Sequence, residues 1–234
     1  MDRPFDEELR ELRKKLLHMA AHVEEAITLA VRSLKERNGE LAQEVFRGEE
    51  VTNDYDIAID ELGLRLLALR QPMASDLRFI TSAMKIGSDL ERIGDLAVNI
   101  AGRALQLLVV PPLKPLLDIP EMAAVTERMV RDAIKAFIDG DEALARDICQ
   151  RDSIVDQYND QIFRELLTYM MADPATISRA MNLTLVSRNL ERIADHATNI
   201  AEDVIYIVSG KTIKHHAEEK AKAQAGAGAG EPSA

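Results

Sequence analysis

Two stretches carry the same acids and amides at the same spacing. Glu91, Asp95 and Asn99 lie within LERIGDLAVNIA at 90–101, and Glu191, Asp195 and Asn199 lie within LERIADHATNIA at 190–201. Steps of four residues put each trio on successive turns of one helix face. Two carboxylates and an amide stacked this way repel at close range unless a cation or a basic partner sits over them. Their oxygens suit hard ions such as Mg, Ca, Mn and ferric iron, with Zn also accommodated. No Lys or Arg stands four residues from both acids to neutralise them. Arg92 and Arg192 are expected about 100° round the helix from Glu91 and Glu191.

The two stretches are copies. Leu, Glu, Arg, Ile, Asp, Asn, Ile and Ala recur in place at an offset of 100 positions, so the chain contains an internal duplication. Leu90, Ile93, Ala97, Ile100 and Ala104 mark the buried stripe of a helix beside the acidic row. A second row repeats at an offset of 103, where Glu49 matches Asp152 and Asn53 matches Asp156. Each half therefore offers two helices joined by a tight turn, running antiparallel. Glu49 and Asn53 should meet Glu91 and Asp95, and Asp152 and Asp156 should meet Glu191 and Asp195. Both rows lie about four to six helical turns from the connecting turn, so their oxygens can reach one cation or a small cluster. Asp56 is left outside the site because its counterpart is Asn159. A single acid-x-x-x-acid pair is usually a solvated face, and the duplication is what raises this one above it.

The positioning elements are helices. Leu9, Leu12, Leu16, Met19, Val23, Ile27, Ala30 and Leu34 keep a step of three or four through a first helix over 6–36, ended by Asn38-Gly39. A second runs from about Glu40 to Arg70 and breaks at Gln71-Pro72. Ser75 is the expected N-cap of a third that reaches about Val109. Three prolines in Pro111-Pro112-Leu113-Lys114-Pro115 cannot continue a helix and divide the halves. The second half repeats the pattern, with Asp139-Gly140 read as the counterpart of Asn38-Gly39. Asp173-Pro174 is its second turn, and Ser209-Gly210 ends a last helix near Val208. The expected fold is all-α, with two tandem, similar three-helix bundles over 1–110 and 116–210. The Gly- and Ala-rich segment 211–234 is expected to be a disordered tail.

Composition narrows the partners. The chain has 234 residues, 47% hydrophobic and 4% aromatic with no Trp, so its core is aliphatic, as suits helices. A net charge of −11 argues against nucleic acid and favours cations or basic protein surfaces. No apolar run is long enough to span a membrane, and the charged N-terminal stretch lacks a signal-like apolar region, which predicts a cytoplasmic protein. Cys149 is the only cysteine, which rules out Cys-based metal sites and predicts a buried or half-buried thiol on a helix. His196 adjoins Asp195 but points to another face. Ala194 stands where the Glu-x-x-His pattern of a di-iron bundle needs His. His215-His216 lacks a third ligand. No nucleophile–base arrangement or glycine-rich phosphate loop is present.

The LERI(G/A)D…NIA pair, RQPMASDLR at 70–78 and LLTYMMADP at 166–174 closely resemble the PhoU family of bacterial phosphate-signalling regulators. The resemblance reaches to about Gly210. It implies tandem three-helix bundles in a cytoplasmic, non-enzymatic accessory protein that represses phosphate uptake and phosphate-starvation signalling. It implies a phosphate ABC transporter and a sensor histidine kinase as partners, membrane contact only through them, and a homodimer. It also implies multinuclear iron or zinc clusters, with Mn or Mg as alternatives, on Glu49, Asn53, Glu91, Asp95, Asp152, Asp156, Glu191 and Asp195, with Asn99 and Asn199 as further ligands. Asn53 departs from the family's acid. Two other readings of the residues stand beside it: a metal-dependent phosphohydrolase using a carboxylate-held cluster, and a plain helical scaffold with solvated acidic faces.

Overall fold

The structure is a computed structural model and describes residues 4–210. Six helices follow in order: α1 (Pro4–Lys35), α2 (Gly39–Arg70), α3 (Ser75–Leu108), α4 (Asp118–Asp139), α5 (Glu142–Ala172) and α6 (Ile177–Ser209), with a short 3-10 turn at Pro174–Thr176 before α6. Helices α1, α2 and α3 pack on one another, as do α4, α5 and α6, so the fold is two tandem three-helix bundles. The expected tail over 211–234 lies outside the described residues.

The bundles are fused. Helix α3 packs along α6, and α1 packs on α4. Lys85 pairs with Asp203 at 3.5 Å and His196 bonds Asp89 at 2.7 Å, so α3 and α6 run antiparallel. Arg131 meets Glu24 at 3.3 Å between α4 and α1. Phe79 of α3 stacks on Phe137 of α4 with ring centroids 5.4 Å apart, and Arg13 caps the Phe79 ring. Buried apolar side chains of both bundles form one continuous core. The predicted stripe Leu90, Ile93, Ala97, Ile100 and Ala104 is wholly buried, as are Leu190, Ile193, Ala197, Ile200 and Ala201.

Several ends differ from the sequence reading. Ser75 is the first residue of α3 and not its cap. The cap position is Ala74, at φ 46°, with no side-chain hydrogen bond, because the tight return from α2 puts both Gln71 (φ 47°) and Ala74 in the left-handed region. The first turn is also registered differently. Its left-handed residue is Arg37 (φ 52°), and Asn38 caps α2 by accepting from the Glu40 amide. The Arg37 guanidinium holds this strained turn by donating to the Leu108 and Val110 carbonyls at 2.8 Å each. Its true counterpart is Gly140 (φ 63°) followed by the Asp141 cap, two positions on from the pairing read in the sequence. Helix α1 has 32 residues and α4 only 22, so the first three turns of α1 have no helical counterpart.

Burial on α6 sets a direct test. Leu190 is fully buried beside the acidic row. Leu190→Ala is expected to cost about 2–5 kcal/mol of unfolding free energy. Ser178→Ala, at an exposed position of the same helix, should change it by less than about 0.5 kcal/mol. Urea denaturation compares the two.

Candidate functional site

The local reason for the site is the register of the stripe. Burying Leu90, Ile93 and Ala97 turns Glu91 and Asp95 to the edge of α3 that faces α2. There they line a shallow cleft with Glu49, Thr52 and Asn53. The two acid rows of the first half thus meet at one height. Gly94 lets the helices approach: a Cβ there would come within 3.2 Å of the buried Thr52 side chain. Asn99, one turn beyond Asp95, is exposed and does not line the cleft.

Arg92 behaves differently from the reading of the sequence. It pairs with both Glu91 at 3.3 Å and Asp95 at 3.2 Å. A long guanidinium arm spans the 100° step that a Cβ-based estimate treats as separation. Asp56 also joins this group. Partial burial raises its pKa first, Asp60 adds to the rise, and Arg92 opposes it. Asp56 in turn helps raise Glu91, whose shift comes mainly from desolvation and then from Asp95. The signal that could have found Asp56 is its place seven residues from Glu49, two turns along the α2 edge that faces α3.

The second half is the more acidic site. Burial pushes the Asp152 carboxyl up to about 6, the charges of Asp195 and Asp156 add to the rise, and the Thr198 hydroxyl beside it opposes it. Glu191 is raised by desolvation and then by Asp156, with Arg188 and Asp152 acting next in opposite directions. Asp195 is raised by desolvation, then by Glu191 and Asp156. All four predicted carboxylates of this half therefore feel one another, while Asn199 stands half-buried one turn further along α6. Among the described residues no three acid, His or Cys groups already converge on one point. The donor set fits a hard cation by charge and oxygen chemistry, and side-chain rotation would have to draw it together.

Two flanking residues are settled. His196 does face away from the row, and its Nδ1 bonds Asp89 of the other bundle. Cys149 is half-buried on α5, and burial together with Glu202 and Asp152 pushes its thiol up to about 11, so it stays protonated and unreactive.

The raised acids fix a pH dependence. A folded-state pKa above the unfolded one stabilises the fold below the unfolded value and loses that contribution as pH rises through the folded value. For Asp152 the loss falls between about pH 4 and 6. Asp152→Asn should therefore be more stable than the parent at pH 7.5, by about 1 kcal/mol after allowing for solvent screening of a half-open group. The gain should vanish near pH 4. Chemical denaturation at the two pH values checks it.

Comparison with known proteins places the chain. The PhoU domain model matches twice, at residues 16–104 and 119–204. The chain is 44% identical over 214 residues to the phosphate-specific transport system accessory protein PhoU homolog of Aquifex aeolicus, covering 91% of this chain and 97% of that one. It is 44% identical to the homolog of the same name in Pseudomonas putida, covering 90% of this chain and 83% of that one. The crystal structure of PhoU from Pseudomonas aeruginosa superposes with a TM-score of 0.86 at 43% identity, covering 88% of this chain and 100% of that chain. That of the phosphate transport system regulatory protein PhoU from Streptococcus pneumoniae gives 0.82 at 31% identity, covering 90% and 99%. With its repeat and its fold matched over nearly the whole length, the chain belongs to the PhoU family, a family of accessory and regulatory proteins and not of enzymes.

Proposed function

We propose that the chain is a cytoplasmic negative regulator of phosphate uptake and of phosphate-starvation signalling. It works as a homodimer that docks on the phosphate ABC transporter and on a sensor histidine kinase. The observation that carries this reading is the two-domain match to relatives named as accessory proteins of phosphate-specific transport. The absence of a helix long and apolar enough to cross a membrane, among the described residues, accords with reaching the membrane through partners. The units over 1–110 and 116–210 each present one acidic edge, at Glu49, Glu91 and Asp95 and at Asp152, Asp156, Glu191 and Asp195. Docking biases each partner between two states by its differential affinity for them.

The acidic edges are also where we place a metal centre. Support comes from like charges held together against their own repulsion, which a bound cation relieves. Iron or zinc fits these oxygens, as do Mn and Mg, and the second half should bind more tightly. It has four coupled carboxylates, whereas Asn53 and the paired Arg92 weaken the first.

Two outcomes are expected. In cells lacking their own homolog, the chain should restore repression of a phosphate-starvation reporter. The form with Glu91, Asp95, Glu191 and Asp195 changed to Ala should lose at least about tenfold of that repression while keeping its helical circular-dichroism spectrum. Equal repression by both forms would remove the edges from docking. Separately, Mn, Zn or ferric iron should raise Tm by several degrees at pH 7, and Asp152→Asn with Asp195→Asn should abolish the rise, read by scanning calorimetry.

A further inference from the structure

At the offset of 103, the position that is Gly140 in the second half is Arg37 in the first, and both are left-handed, at φ 63° and 52°. Glycine takes this conformation freely and arginine does not, so the turn alone does not call for this side chain. Both hydrogens of its Nη2 are spent on the Leu108 and Val110 carbonyls, at 2.8 Å each. Those bonds fix the guanidinium in place and leave its Nε and Nη1 hydrogens for another acceptor.

Arg37 lines a hollow of about 230 Å³ at the junction of the two bundles. Leu34 of α1, Leu107 of α3, Leu113 and Leu116 of the linker, and Leu183 of α6 give it apolar walls from both halves. Its linker wall is held at two points. Arg179 donates to the Pro111 carbonyl at 3.2 Å, and Lys114, almost fully buried, pairs with Asp118 and Glu165. Pro111, Pro112 and Pro115 stiffen the same segment. The hollow is therefore preformed, at an interface between bundles, as small-molecule sites commonly are.

The charged side chains that line it, Lys35, Arg37 and Lys114, are all basic, on a chain of net charge −11. Lys114 is neutralised by its two acids. Glu36, between the other two in sequence, is held by Arg32 at 2.9 Å. Lys35 and Arg37, both exposed, are left as a pair of cations beside the apolar walls. We propose that this hollow binds a medium-chain carboxylate. The chain lies among the leucines, and the carboxylate accepts charge-assisted hydrogen bonds from Arg37 and Lys35. A cavity of about 150 Å³ takes benzene, so this one takes an apolar body of about eight to ten carbons. The acidic edges have no part in it. Because its walls come from α1, α3 and α6, the ligand is gripped by both bundles at once.

Isothermal titration of the full-length protein with octanoate tests this. One saturable site per chain is expected, with octanol at least about tenfold weaker and acetate not bound, because charge and chain are both needed. Arg37→Gly should weaken octanoate at least about tenfold and Lys35→Gln at least about fivefold. Glycine accepts the left-handed turn, and Lys35 is exposed on the last turn of α1, so both variants should keep the parent's helical circular-dichroism spectrum. In nitrogen-15 NMR, octanoate should shift amides of residues 34–37 and 107–110 and leave those of 75–79, at the other end of α3, in place. Octanol binding as tightly as octanoate, octanoate binding unchanged in the two variants, uptake without saturation, or shifts centred on 75–79 would each overturn the proposal.

Discussion

Everything in this molecule hangs on the packing of α3 along α6. Each helix has a wholly buried side: Ala97, Ala101 and Ala104 with Leu90, Ile93 and Ile100 on one, and Ala194, Ala197 and Ala201 with Leu190, Ile193 and Ile200 on the other. Because this stripe has one allowed orientation, the residues beside it have one too. Glu91 and Asp95 are turned toward α2, and the raised pKa values of Glu191 and Asp195 show the same turn toward the acids of α5. The acidic edges are thus a consequence of core packing, and a helix rotated to relieve their repulsion would have to expose its apolar stripe.

That constraint sets up a standing conflict of charge. Burial and like charge both oppose ionisation of Asp152, Glu191 and Asp195. The two halves resolve it differently. In the first, Arg92 folds over Glu91 and Asp95 and supplies positive charge from within the helix. In the second, Arg188 and Arg192 act on Glu191 only through space, and the conflict stays open. An open conflict is what an external cation or a basic partner surface can relieve, so the duplication has produced one edge that Arg92 partly neutralises, with Glu91 and Asp56 still raised, and one edge left open. Between them, His196–Asp89 and Lys85–Asp203 pin the antiparallel crossing with polar contacts that the apolar stripe alone would not register.

Much of this was legible in the sequence, for physical reasons. Helix faces recur with a fixed period, so the stripe from Leu90 to Ala104 and the match of Glu49 to Asp152 could be read without coordinates. Counting turns back from 71–75 placed the rows of α2 and α3 at one height, and the cleft bears that out. What escaped was set by side-chain reach and by contacts between bundles. Arg92 closes over its neighbours because its arm is long. Asp56 enters the field of Glu91 although its repeat partner is Asn159. The His196–Asp89 bond links residues 107 positions apart, which no local pattern encodes. The turns at Ala74 and Arg37 escaped because non-glycine residues take positive φ there where a sequence rule looks for Gly or Ser, and at Arg37 the bonds to the Leu108 and Val110 carbonyls hold it.

The central claim is that core packing holds the second half's acids together in a partly buried, like-charged group. Carbon-13 carboxyl titration by NMR of the metal-free protein tests it most directly. The account predicts that Asp152 titrates near pH 6 and that Glu191 and Asp195 also titrate above their ordinary ranges. It further predicts that Asp156→Asn lowers all three together, since each feels that charge. Titration of the three near the ordinary value of about 4, independent of Asp156, would contradict it and make the edge a solvated surface.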